Sequence, residues 1–304
     1  MNFDELKRHL QAKKEFENLD RWTFTDANSG DTSPHTYRLQ SKDREYFVKE
    51  IKDNERDILK MLIPLELTHV EMVIYPDLLA KNILVTEYIA GGTLKSKDLE
   101  PGLIWDFARI QNHLNSPAFN QELGQDDRFF FGNYLLKCFE EGYRSLLGMR
   151  EHDLPIVERY IEIADHLTAN EAQIVKEFSG MPFARQHHDL REGNILAKSP
   201  QRIIDWGSSY GHGPFLYDLA PFLFAQEENL GIFIAHSDIC RQADRGTIER
   251  WLYIATCARF VGLLRYIGLL TDLEDRERLS EFLEYHYRTY SGLLQQMSLK
   301  TGAS

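Results

Sequence analysis

The rhythm of apolar positions changes about ninety residues into the chain. Before that point, short runs such as RWTFT, HTYRLQ and EYFVKEI are separated by DANSGDTSP and SKD. Alternating β-branched and aromatic residues bounded by Gly, Pro, Asn, Asp and Ser predict strands joined by turns. HVEMVIYPD and NILVTEYI predict two more. Between them NERDILKML reads as a short helix, with Asn54 as its cap and Ile58, Leu59 and Leu62 as its apolar face. At the front, Phe3, Leu6 and Leu10 share one helical face inside the charged stretch MNFDELKRHLQAKKEFENLD, which lacks the apolar core of a signal peptide.

Gly91-Gly92 marks a break, and the periodicity beyond it is helical. LIWDFARIQNHL, YLLKCFEEGYRSLL and the run from Ile156 to Phe178 are amphipathic. The loop QHHDLREGN interrupts them, followed by ILAK, a turn at SPQ, and RIIDW, which together predict a small hairpin. Helical patterns resume at Tyr217. The stretch Trp251 to Leu270 has the length of a membrane span, but Arg259 and Arg265 interrupt it. It reads as the central helix of a helical domain. The pattern predicts an α+β chain of two domains: a small sheet-containing lobe over residues 1–90 and a mostly helical lobe over 91–304.

Bulk properties narrow the field further. The 304 residues carry 47 acidic against 35 basic side chains, a net charge of -12. That balance argues against a nucleic-acid partner, which needs a basic face, and against an anionic membrane surface. Three cysteines without a CxxC pair predict a reducing compartment, the cytoplasm, and no disulfide framework.

The chemistry concentrates in HHDLREGNIL and RIIDWG. Phosphoryl transfer to a hydroxyl asks a protein to position phosphates, neutralise their charge and orient the acceptor beside a carboxylate. It needs one carboxylate as base, oxygen ligands for magnesium, and a cation reaching the phosphates. Asp189, Asn194, Asp205 and Lys49 supply these. H-x-D followed by Asn at five, then an apolar strand, a turn and I-I-D-W-G, has the spacing of a kinase catalytic loop and its metal-binding aspartate. A zinc site at His187, His188 and Asp189 is disfavoured, because adjacent side chains diverge and no partner follows at ligand spacing.

HHDLREGNIL and RIIDWGSSYGHGPFLYDLA resemble the aminoglycoside phosphotransferase and choline kinase-related superfamily, which shares the protein-kinase fold. His187, Asp189, Leu190, Asn194, Ile195 and Leu196 match its loop; Ile204, Asp205, Trp206, Asp218, Leu219 and Ala220 match its following segments. The resemblance implies a bilobal fold, ATP or GTP as phosphate donor, and Mg2+. It implies Asp189 as base and Asn194 and Asp205 as metal ligands. Lys49 would hold phosphates, braced by Glu55, with Asp57 as the alternative. Glu87 to Ile89 would form the hinge that receives the base, and His187 and Asp218 would give structural support. Two positions depart from the pattern: His188 stands where Gly is usual, and Arg191 where a second His is common. With only Gly30 in TDANSGDTSPH, Ser29, Thr32 and Ser33 are the expected phosphate contacts.

No A-P-E triplet follows, and the segment between Asp205 and Asp218 is short, so a small-molecule hydroxyl is the expected acceptor rather than a polypeptide. A non-catalytic nucleotide-binding regulator and a choline- or homoserine-type kinase are the alternatives. A cationic acceptor would call on acidic pairs such as Asp126 and Asp127, Glu140 and Glu141, or Glu227 and Glu228. A quaternary ammonium would call on Tyr285, Tyr287 and Tyr290. Phe129 to Phe131 read as pocket or core.

Overall fold

The computed structural model describes residues 3–16, 18–19, 22–26, 36–95, 98–115, 125–150, 154–209, 212–225, 227–269 and 276–301. The chain divides into two compact units, one of residues 1–96 with 187–210 and one of 97–186 with 211–304. Residues 187–210, which the sequence pattern assigns to the helical lobe, thus pack with the N-terminal residues.

The first unit is built on four antiparallel strands in sequence order: β1 (Thr23–Asp26), β2 (Thr36–Gln40), β3 (Glu45–Glu50) and β4 (Ile83–Glu87). Side chains of a strand alternate between faces. Tyr46 and Val48 of β3 therefore join Leu39, Ile83 and Val85 in one cluster, completed by Leu6, Leu10, Phe16 and Leu19 from the N-terminal segment. Leu6 and Leu10 belong to α1 (Phe3–Gln11), the amphipathic helix expected there. Lys49, one residue on from Val48, falls on the opposite face of the sheet.

Helix α2 (Asp53–Leu62) buries Glu55, Ile58, Leu59 and Leu62. These positions follow the i, i+3, i+4, i+7 spacing of a single helical stripe, so an acid shares the apolar face. Asn54 is not the cap: Lys52 precedes the helix, and the Asn54 amide donates instead to the Gly207 carbonyl. The expected strand over 69–77 is also absent. Val70 forms an isolated parallel bridge to Ile203, and Pro76 opens a short helix, α3 (Pro76–Leu79). Gly91 and Gly92 have φ of 125° and 75°, a conformation glycine adopts freely. Just beyond, Leu94 N–H donates to Ile195 O at 2.7 Å. That carbonyl belongs to a hairpin of β6 (Ile195–Leu196) and β7 (Arg202–Ile203), the one expected from ILAK and RIIDW.

The second unit is mostly helical. It contains α4 (Pro101–Leu114), α5 (Gln125–Met149), α6 (Pro155–Ala169), α7 (Glu171–Gly180), α8 (Ala220–Ala225), α9 (Glu227–His236), α10 (Arg245–Leu269) and α11 (Arg276–Thr301). A short antiparallel ribbon of β5 (Phe183–Arg185) and β8 (His212–Pro214) lies among them. The apolar stretch near the end of the chain is, as expected, a core helix: Leu252, Ala255, Cys257, Phe260, Val261 and Leu264 of α10 are buried. It crosses α5 closely at Gly142, where a Cβ would lie 2.8 Å from that of Leu264. Among the described residues no helix is long and apolar enough to cross a membrane. All three cysteines are free and buried.

Candidate active site

The β6–β7 hairpin sets the geometry of the site. Ile195 faces Ile203, and Ile204 N–H donates to Asn194 O at 3.0 Å. That register brings Asn194, which precedes one strand, and Asp205, which follows the other, to the same end of the hairpin.

Upstream, His187 is fully buried; its Nε2 donates to Ile204 O at 2.9 Å and its ring lies 4.7 Å from Trp206. These contacts anchor the loop to the hairpin. His188, standing where the resemblance expects Gly, holds the left-handed φ of 68°. Asn194 Nδ2 donates to Asp189 O at 2.8 Å and to Asp189 Oδ2 at 3.0 Å. The amide nitrogen is thereby committed to the loop, and its oxygen is the atom suited to a hard cation. Arg191 Nε lies 3.4 Å from Asp189 Oδ1.

Lys49 joins the sheet to this loop. Its Nζ lies 3.1 Å from Glu55 Oε1 and 2.7 Å from Asp205 Oδ1. Of the two candidate acids on α2, Glu55 is the one that meets Lys49; Asp57 is bound to Arg56 at the surface. Glu55 arrives there because it sits on the buried stripe of α2. Gly207 is packed against it: a Cβ there would lie 3.1 Å from Glu55 Oε2.

The electrostatics follow from this crowding. Burial alone would lower the Lys49 pKa, but Glu55 and Asp205 outweigh it and raise it. Burial would raise Asp205, yet Lys49 holds its carboxyl below the usual range. For Glu55 burial prevails over Lys49, and its pKa rises. A further acid was missed by the motif reading. Glu71 is pushed up to about 8 by burial and by the neighbouring Glu55 charge. Its signal was present: a lone acid inside the apolar run HVEMVIY.

Other expected residues fare differently. Tyr88, in the expected hinge, commits its N–H to Glu45 O at 3.2 Å; Glu87 is exposed, 3.8 Å from Arg202, and Ile89 is half-buried. Ser29, Thr32 and Ser33 lie outside the described residues, as do the side chains of Asp126, Asp127, Phe129 and Phe130. Phe131 packs edge-on against Phe183. Within the second unit, Asp218 is buried and its N–H donates to Gln186 Oε1 at 3.3 Å. The candidate acidic pairs there serve local ion pairs: Glu140 with Arg144, Glu141 with Arg265, Glu227 with Arg245. The three tyrosines of α11 do not converge as a cage. Tyr287 packs on Tyr160, Tyr290 on Phe260, and Tyr285 is exposed against His286.

Among the described residues no three His, Cys, Asp or Glu side chains converge as a metal cage. The donors at the hairpin end, one carboxylate and one amide oxygen, fit magnesium, which takes few protein ligands and completes its shell from phosphates and water.

A choline kinase from Cryptosporidium parvum Iowa II superposes with a TM-score of 0.58 at 12% identity, covering 99% of this chain and 97% of that one. The GDP complex of wild-type aminoglycoside 2'-phosphotransferase-IIIa gives 0.55 at 14% identity, covering 96% and 99%. The choline kinase LicA from Streptococcus pneumoniae gives 0.51 at 17%, covering 96% and 99%. At these identities the likeness shows the fold, which is kinase-like. Comparison with curated protein sequences found no match. The family model for the phosphotransferase enzyme family, APH, matches residues 25–246, a span holding Lys49, Glu55, Asp189, Asn194 and Asp205, and the chain belongs to that family.

Proposed function

We propose that the protein transfers the γ-phosphoryl group of ATP or GTP to a hydroxyl of a small molecule, in the manner of an aminoglycoside kinase. The observation that carries this reading is Lys49 Nζ bridging Glu55 and Asp205, at the end of the hairpin where Asn194 holds Asp189.

In this reading Asp189 receives the acceptor's proton as its oxygen attacks the γ-phosphorus and the bond to the nucleoside diphosphate breaks. Arg191 and Asn194 fix the orientation of that carboxylate. Lys49 moves from Asp205 to the nucleotide phosphates when they arrive, with Glu55 retaining it. Asp205 and Asn194 would hold Mg2+, which supplies charge neutralisation for the phosphates. The backbone of Glu87 to Ile89 receives the base, Ser29, Thr32 and Ser33 contact phosphates, and Asp218 braces the helical unit. The short segment between Asp205 and Asp218 supports a small acceptor over a polypeptide. Buried, reduced cysteines fit a cytoplasmic setting.

The test is a panel of hydroxyl compounds (amino sugars, amino alcohols, hydroxy amino acids) incubated with labelled ATP or GTP and Mg2+. Transfer to one class, lost in Asp189→Asn, supports the reading. Nucleotide binding without transfer across the panel would overturn it in favour of a non-catalytic regulator.

A further inference from the structure

The turn at Asp205 has a cost that something nearby must offset. Its φ and ψ are 63° and 59°, the left-handed region that most side chains avoid and that Asp enters only at isolated positions. The hairpin ladder does not hold it there: the ladder's last bond uses Ile204 N–H, leaving Asp205 N–H beyond its end.

Support comes from the other edge of β7. Ile203 N–H donates to His69 O at 2.9 Å, and Glu71 N–H donates to Ile203 O at 3.0 Å. Residues 69–71 thus run parallel to β7, with Val70 level with Ile203. This register brings Glu71 alongside the turn, with the Asp205 N–H close enough to act on its carboxyl. One carboxyl oxygen, Oε1, is buried without a hydrogen-bond partner. A carboxyl is an expensive side chain to place in such a run, so its acceptor oxygen needs a use.

We infer that Glu71 is a positioning residue, whose carboxyl oxygen accepts the Asp205 N–H and fixes the left-handed turn that aims the Asp205 carboxylate at Lys49 and the cation. The inference rests on the proposed function for its consequence, and on the hairpin alone for its geometry. Glu55 cannot substitute, since Lys49 holds its carboxylate.

Two variants separate reach from ionisation. Glu71→Gln keeps an oxygen at the same distance and cannot ionise; Glu71→Asp keeps an ionisable carboxyl and withdraws the oxygen by one methylene. Amide hydrogen exchange at Asp205, followed by NMR, should stay within roughly two-fold of wild type in the Gln variant. In the Asp variant it should rise about ten-fold, the size of one lost hydrogen bond. The Mg2+ concentration that supports half-maximal nucleotide binding should rise about ten-fold in the Asp variant only, as for other groups that orient a metal ligand. Equal behaviour of the two variants, or a reversed ranking, overturns the assignment. If the Asp variant fails to fold, Glu71→Met removes the acceptor while keeping the bulk. Exchange needs neither nucleotide nor acceptor, so a wild type that transfers nothing would sink the proposed function while leaving this ordering measurable.

Discussion

Asp189 and Asp205 are both carboxylates of one small region, yet their surroundings differ. Asp189 is held by an amide and faced by Arg191, and its side chain is 40% exposed; Asp205 is ion-paired to Lys49. Replacing Asp189 with Asn should lower transfer by about 10² to 10⁴ while nucleotide affinity, measured by calorimetry, stays nearly constant. Replacing Asp205 with Asn should weaken Mg2+-dependent nucleotide binding as well. Glu71 yields a prediction in pH. Its folded pKa is raised to about 8, so the folded state keeps a proton that the unfolded chain loses near the ordinary value of 4.5. Stability therefore falls as pH climbs between those values, and is level above. Chemical denaturation should find wild type losing stability relative to Glu71→Gln from about pH 5 to 8; a constant gap would refute this. The pairs HHD and IIDWG were legible because their spacing is rare. Glu71 was not, since its meaning depends on a parallel neighbour far along the chain.

At the scale of elements, two periodicities place the cation and its acid. Strand alternation turns Lys49 away from the Val48 core, and the helical stripe of α2 buries Glu55 beside Leu59. Leu59 is 1% exposed, so Leu59→Ala should cost about 2–5 kcal/mol in denaturant unfolding. Because the same stripe carries Glu55, it should also reduce nucleotide affinity; unchanged affinity would separate helix packing from the Lys49 bridge. The local pattern predicted α2, the hairpin and strands β1 to β4. It misread 69–77, where one isolated bridge at Val70 and a single bond from Ile74 N–H to Val85 O replace a ladder and Pro76 begins a helix. It also misread Asn54, whose amide found a tertiary partner at Gly207 in preference to the helix end.

Across the whole molecule, the chain leaves the first unit and returns to it. A fragment of residues 1–96 lacks Ile195, Ile203 and Trp206, all fully buried, and lacks the Asp205 partner of Lys49. Circular dichroism should give no cooperative melt for that fragment, and one should return when residues 187–210 are appended through a flexible linker. Composition marked a boundary near Gly91-Gly92, and composition cannot reveal that a later segment comes back. The return has a consequence for biosynthesis. Lys49 and Asp205 stand 156 positions apart. At about 5–20 residues per second, a ribosome needs about 8–30 seconds to deliver the second after the first. For that interval the nascent sheet carries its lysine and Glu55 with the third charge still untranslated, and a chaperone has its longest opportunity to engage it.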